Sequence, residues 1–226
     1  MILSESPRIE LIHGDCMDYM NGLEAKAFQL AIVDPPYGIG MDSRRLNGRS
    51  SKGRYKIKQS QYLDKQWDNE SPDISYHECL KKISCNQIVW GANYLPEGVY
   101  YGKKWIVWRK NGQSNAPDSS DCELATTSLN GLTVKMFDFD WVGFGAINAG
   151  EVKIHPTQKP VKLYRWLLQN YAKKDDRILD THLGSGSSAI AAYEEGFDFV
   201  GIEKDREYYD GAVKRFRNHI AQTSLF

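Results

Sequence analysis

The chain has 226 residues, and its 29 lysines and arginines are balanced by 29 aspartates and glutamates. That length suits one α/β domain with a full core, and a net charge of zero leaves any polyanion to be bound by local basic patches rather than by an overall field. No apolar run reaches membrane-spanning length, Met1–Pro7 has no signal-peptide pattern, and Cys16, Cys79, Cys85 and Cys122 lack paired spacing. The expectation is therefore a cytoplasmic protein with reduced thiols, no membrane contact and no metal site.

Ile9–His13 reads as a short strand ending at Gly14-Asp15. Cys16–Leu23 has helical spacing at Met17, Met20 and Leu23. Asp15 is thus either an ordinary N-cap or a carboxylate facing a ligand at the strand's end, and the residues leave both readings open. Leu30-Ala31-Ile32-Val33 is an apolar run of the kind buried on both faces of a sheet, and it runs into Asp34-Pro35-Pro36-Tyr37. Two prolines cannot continue a sheet ladder, and the residue before a proline is pushed to extended geometry. Asp34 is therefore expected at the strand's carboxyl end, the rim where open α/β sheets bind ligands.

A carboxylate, a proline carbonyl and an aromatic face gathered there suit alkylation of an exocyclic amino group on a base. Such a nitrogen is a poor nucleophile because its lone pair is delocalised into the ring. Asp34 and the Pro35 carbonyl, each accepting one N–H, would draw it toward tetrahedral geometry as charge develops. Tyr37 would stack on the extruded base. The competing reading is a strand followed by a polyproline turn with a surface tyrosine.

Residues 41–66 are rich in Arg, Lys, Gly and Ser, with Tyr55 and Tyr62 interleaved, which predicts a long loop suited to phosphate contact. A helix over Asp73–Lys82 and strands over Asn86–Trp90 and Lys104–Trp108 follow. Cys122–Ser128 and Leu132–Phe137 are expected as further strands paired in a hairpin, and Asp138–Gly150 carries no assignable pattern. Pro160 precedes a helical pattern over Val161–Tyr171.

Arg177–Asp180 then reads as a strand, Thr181–Ser188 as a glycine-rich turn opening a helix, and Asp198–Ile202 as a second strand delivering Glu203 to its end. This is the β-α-β unit of a nucleoside-binding crevice, in which Glu203 can accept both ribose hydroxyls. The alternative is a glycine turn serving packing alone. The third glycine of a dinucleotide fingerprint is missing. Asp180 suits a cationic sulfonium better than a pyrophosphate, so S-adenosylmethionine fits better than NAD. A nucleoside-binding unit normally opens such a domain. Here it comes last, so the sheet can close only if the order is circularly permuted.

With these three signatures in sequence, Asp34–Tyr37, His155-Pro156-Thr157-Gln158-Lys159-Pro160 and Asp180–Ser187, the chain resembles the β-class DNA amino-methyltransferases, the adenine-N6 and cytosine-N4 group. The resemblance spans nearly the whole chain. It departs within Thr181-His182-Leu183, where the family's usual Asp-Pro-Phe-x-Gly-Ser-Gly has Pro and an aromatic. It implies one domain over 1–226, with a Rossmann-like, mostly parallel sheet carrying an antiparallel strand or hairpin, and with 41–66 and 111–150 as DNA-contacting insertions. It implies catalytic roles for Asp34, Pro35, Pro36 and Tyr37. S-adenosylmethionine would be held by Asp180, Leu183, Gly184, Ser185, Gly186 and Glu203, with Asp15 near its adenine and Thr157 and Lys159 at its methionine end. His155–Pro160 is otherwise a mere turn leading into a helix. DNA is the implied partner, and a homodimer is compatible with the family. The Asp-initiated motif favours adenine N6. Rivals are cytosine N4, an RNA or protein-amide acceptor, and a DNA-binding module with a decayed cofactor site.

Overall fold

The computed structural model describes residues 1–40, 68–110, 120–141, 151 and 153–223. The basic stretch 41–66 and residues 111–119 and 142–150 lie outside the described residues, while the remainder of 111–150 supplies two strands of the sheet. In chain order the elements are β1 (Ile2–Glu5), β2 (Arg8–His13), α1 (Cys16–Asn21), β3 (Phe28–Val33), α2 (Ile74–Ile83), β4 (Ser84–Trp90), β5 (Lys104–Arg109), β6 (Cys122–Thr127) and β7 (Val134–Asp138). They continue as α3 (Val161–Tyr171), β8 (Ile178–Asp180), α4 (Ser187–Glu195), β9 (Phe199–Glu203) and α5 (Arg206–Thr223).

The strands form one mixed sheet in the order β1-β2-β9-β8-β3-β4-β6-β5-β7. Its centre is parallel, with β2 beside β9, β9 beside β8, β8 beside β3 and β3 beside β4. The permuted order is thus realised: β8 adjoins β3, so two segments far apart in sequence end side by side on one rim. β6 runs antiparallel to both β4 and β5. It therefore brings its first residues, not its last, to that same rim.

The expected hairpin between β6 and β7 does not form. β6 is hydrogen-bonded on both sides, by β4 and β5, so β7 takes the remaining edge of β5 and pairs with it in parallel. The short link between β6 and β7 suggested direct pairing, but the free edge belonged to β5.

β3 shows why an unbroken apolar run sits here. Leu30 and Ile32 point into one buried cluster with Trp90, Trp108, Leu163 and Phe216, while Ala31 and Val33 point into another with Met20, Tyr76, Leu80 and Ile83. Burying a Leu, Ile or Phe fully contributes about 1.5–3 kcal/mol, so a strand loaded on both faces is anchored firmly. On α2, Asp73 accepts a hydrogen bond from the Tyr76 amide, and Tyr76, Leu80 and Ile83 recur on one buried face. The Tyr76 hydroxyl lies 2.6 Å from Thr181 Oγ1, tying α2 to the turn after β8.

Candidate active site

β3 ends by delivering Asp34, whose side chain is 16% exposed and whose two oxygens are both engaged. The Tyr37 hydroxyl donates to Oδ1 at 2.6 Å, and Lys159 Nζ lies 2.5 Å from Oδ2. The turn that lets Tyr37 fold back is pinned by Asp68, whose Oδ1 accepts from the amides of Tyr37 at 2.7 Å and Gly38 at 3.1 Å. The Tyr37 ring stacks on Tyr94, with centroids 5.1 Å apart and planes 17° from parallel. It also lies against Gly91, which follows β4 with φ +72°. A Cβ on Gly91 would fall 2.1 Å from the Tyr37 ring, so glycine is required there for space as well as conformation.

Lys159 sits among these groups with its side chain only 2% exposed. Besides Asp34 it meets Glu123 Oε2 at 3.0 Å and donates to the Tyr37 hydroxyl at 3.2 Å. Glu123, from the start of β6, pairs through its other oxygen with Lys110 beyond the end of β5, at 2.5 Å. Burial alone would raise the Glu123 carboxyl, but Lys159 and Lys110 outweigh it and hold it at about 2. Burial dominates at Asp34 and raises it, assisted by the Glu123 charge and opposed by Lys159. Burial also raises the Tyr37 hydroxyl well above its ordinary range.

The second half of the site is the turn after β8. Gly184 has φ +52° and its amide donates to Glu203 Oε2 at 2.8 Å, while Asp205 N donates to Oε1 at 2.9 Å. Burial raises the Glu203 carboxyl. Leu183 is nested against Gly201, where a Cβ would sit 2.7 Å from Leu183 Cδ1. Beneath the turn, Arg215 of α5 donates to the Ser185 carbonyl at 2.9 Å and Ser187 Oγ at 2.8 Å, and pairs with Glu151 at 2.5 Å.

A single cleft of about 1290 Å³ joins the two halves. Asp34, Pro35, Pro36 and Tyr37 line it on one side. Leu183, Gly184, Ser185 and Glu203 line it on the other, and Asp15 and Thr157 also reach it. Both readings of Asp15 have a counterpart in the structure. It caps α1 by accepting from Met17 N at 2.8 Å, and its other oxygen holds Lys204 at 2.8 Å while facing the cleft.

Asp180 and Gly186 are placed differently from the rest. Neither is among the residues lining the cleft. Asp180 is fully buried and accepts from Ser188 Oγ at 2.6 Å and His182 N at 3.0 Å, so it braces the turn from inside. Burial pushes its carboxyl up to about 7. Gly186 has φ +76°, and a Cβ there would stand 3.1 Å from Ala212 Cβ, so it serves the approach of α5. Lys159 lines the cleft too, but its ammonium is directed to Asp34 rather than to the glycine turn where a methionine end was expected.

The segment 155–160 is knitted by its own side chains. Thr157 Oγ1 lies 3.1 Å from His155 Nδ1, Ile154 N donates to Gln158 Oε1 at 2.9 Å, and Trp141 Nε1 donates to the Gln158 carbonyl at 2.7 Å. It is therefore more than a lead into α3, since it fixes where Lys159 points.

A sequence model of the family described as DNA methylase matches residues 93–214, more than half of the chain. The chain belongs to the DNA methylase family. This methylase is 25% identical over 248 residues to the type II methyltransferase M2.MboI of Moraxella bovis, covering 94% of the chain and 89% of the relative. It is 23% identical to the type II methyltransferase M.HinfI of Haemophilus influenzae, covering 92% and 68%. Among solved structures, the M1.HpyAVI complex with S-adenosylmethionine superposes with a TM-score of 0.59 at 19% identity, covering 92% of this chain and 98% of that one. The cytosine-N4-specific PvuII DNA methyltransferase superposes at 0.56 and 13% identity, covering 100% and 95%. At these identities the superpositions establish the fold.

Sequence reasoning missed Glu123, Lys110, Asp68 and Tyr94 of the methylase cleft. None lies in a short motif. Glu123 and Lys110 become neighbours of Asp34 only through the pairing of β6 with β4 and β5. A carboxylate inside an otherwise strand-like run, Cys122-Glu123-Leu124-Ala125, was the one available signal.

Proposed function

We propose that this protein transfers a methyl group from S-adenosylmethionine to the N6 amino group of adenine in DNA. The observation that carries the reading is the single cleft shared by the Asp34–Tyr37 corner and the Leu183–Glu203 side. Its volume suits a nucleoside cofactor together with an extruded base. The cofactor side offers carboxylates and an open glycine backbone, which suits a cationic group bearing a ribose diol. Glu203 is assigned to that diol, Gly184 and Ser185 to the close backbone approach, Leu183 to apolar packing, Asp15 to the adenine end and Thr157 to the methionine end. Asp180 and Gly186 are assigned to shaping the turn.

When bound, S-adenosylmethionine supplies an electrophilic methyl on a sulfonium that leaves as a neutral thioether. Tyr37, backed by Tyr94, offers an aromatic surface to the flipped base. The amine enters by displacing the Tyr37 hydroxyl from Asp34 Oδ1 and is held between that oxygen and the Pro35 carbonyl. Its lone pair would take the methyl that a bound S-adenosylmethionine supplies, the carbon–sulfur pair going to the departing thioether. The nitrogen proton becomes acidic only then and leaves by way of the carboxylate. Alignment and hydrogen-bond acceptance carry the rate.

Adenine is favoured over cytosine by the Asp-initiated form of the motif. The fold shared with a cytosine-N4-specific enzyme supports N4 of cytosine as the second reading. The basic stretch 41–66 and the parts of 111–150 on either side of β6 and β7 are assigned to DNA contact, so affinity should fall steeply with salt. The deciding experiment incubates the protein with DNA and labelled cofactor, digests to nucleosides and identifies the product by mass. N6-methyl-2′-deoxyadenosine is expected. N4-methyl-2′-deoxycytidine moves the assignment to the second reading, and no labelled nucleoside from any DNA tried overturns both.

A further inference from the structure

We propose that Lys159, anchored by Glu123, is the positioning residue of the acceptor corner, holding Asp34 so that one carboxylate oxygen is offered to the incoming amine. The inference rests on the base-pocket reading of Asp34. The Lys159 ammonium is ion-paired with Asp34 Oδ2 and Glu123 Oε2 and donates to the Tyr37 hydroxyl. With 2% of the side chain exposed, none of these contacts is exchanged readily for bulk water. The charges alternate across the sheet rim as Asp34, Lys159, Glu123 and Lys110, drawn from β3, the 155–160 turn, β6 and β5. The Trp90 ring of β4 faces the ammonium at 5.4 Å.

Such an arrangement has a chemical purpose. A carboxylate in a dry corner tends to take up a proton, and a protonated Asp34 would present an O–H where the amine needs an acceptor. Lys159 opposes that protonation and fixes which oxygen remains available. Glu123 shares the lysine, places it sterically and draws off part of its charge, so the pair sets the basicity of Asp34. The remaining groups coupled to Asp34 are the Tyr37 and Tyr164 hydroxyls and, from the end of β8, Asp180. None of these three supplies a positive charge, so Lys159 is the cation on which Asp34 depends among the described residues.

The test follows the pH dependence of single-turnover methyl transfer and, in parallel, cofactor affinity by calorimetry. Lys159→Met is expected to move the acid limb of the rate profile up by about one pH unit and to slow transfer by about 100-fold at neutral pH, with cofactor affinity within about twofold of wild type. Glu123→Gln removes a repelling charge and leaves the lysine to Asp34 alone, so its acid limb should move down. Opposite shifts from two contacting residues are not produced by a general loss of packing. Limbs that move together, or not at all, overturn the proposal, as does a lost cofactor affinity in Lys159→Met, which would return the lysine to the methionine end. If Lys159→Met melts too low to assay, the Glu123→Gln profile decides alone. Asp34→Asn separates the two levels: wild-type transfer there sinks the base-pocket reading itself, whatever the lysine does.

Discussion

Replacing Gly91 by alanine tests how the acceptor corner is held. The backbone there has φ +72°, which costs a non-glycine residue about 1–2 kcal/mol. The new Cβ would also stand 2.1, 2.5 and 2.8 Å from Cε1, Cδ1 and Cζ of Tyr37, whereas carbon atoms rest at about 3.5–4.0 Å. The ring must retreat by more than an ångström. It then loses its hydroxyl bond to Asp34 and its stacking on Tyr94. The bond to a charged acceptor is worth about 1.5–3 kcal/mol and the stacking about 0.5–1.5 kcal/mol. A destabilisation of about 3–6.5 kcal/mol is expected in urea titrations. Gly98 supplies the control, because it has φ +85° but nothing within 4 Å of an added Cβ. Gly98→Ala should cost only the conformational share. In methyl-transfer assays Gly91→Ala should lose about 100-fold in kcat/KM for DNA while cofactor affinity stays near wild type. Equal stability losses in the two variants, with transfer intact in both, would refute the reasoning.

Asp34→Ala should abolish transfer while calorimetry still detects cofactor binding; a variant that methylates at the wild-type rate contradicts the pocket assignment. Asp180 makes a prediction about pH. Its folded carboxyl titrates near 7 against an ordinary value of 3.8, so between those values the folded state holds a proton that the unfolded chain has released. Its stabilising contribution is complete below about pH 4 and fades as pH rises through about 7, by about 1.4 kcal/mol per pH unit inside that window. Asp180→Asn should remove this slope from the stability curve relative to wild type, and superimposable curves would be inconsistent with it. Arg215→Met leaves Glu151 buried without its cation and should cost about 3–5 kcal/mol, much of it recovered in Arg215→Met/Glu151→Leu. Chemical denaturation of the two variants checks this, and an equal loss in both would show that the stranded carboxylate is not the cause.

Much of the architecture could be read from the sequence because its signals are local. Pro35-Pro36 stops β3 where a ladder becomes impossible, and Gly184 marks a turn that only left-handed backbone can make. The tools that succeed at such punctuation fail where partners are chosen at a distance. β6 and β7 read correctly as strands, yet which strand each would join depended on β5 having one edge free. Glu123 owes its place at the site to that same pairing. Lys159 illustrates a finer limit. Its motif located the residue, but the direction of its chain was set by Trp141 and Gln158 closing the preceding turn. Asp68 is another long-range case, reaching back to cap the Tyr37 and Gly38 amides from beyond the intervening stretch.

The position of β8 and β9 between β2 and β3 bears on how the chain reaches its native state. During synthesis β2 and β3 emerge early, but the strands that separate them arrive only with residues 178–203. Until then each presents a bare, apolar edge, and direct pairing of the two would leave no slot for the late arrivals. Productive folding therefore waits on the last fifth of the polypeptide, and truncation upstream of Ile178 should yield an aggregating product rather than a smaller stable domain.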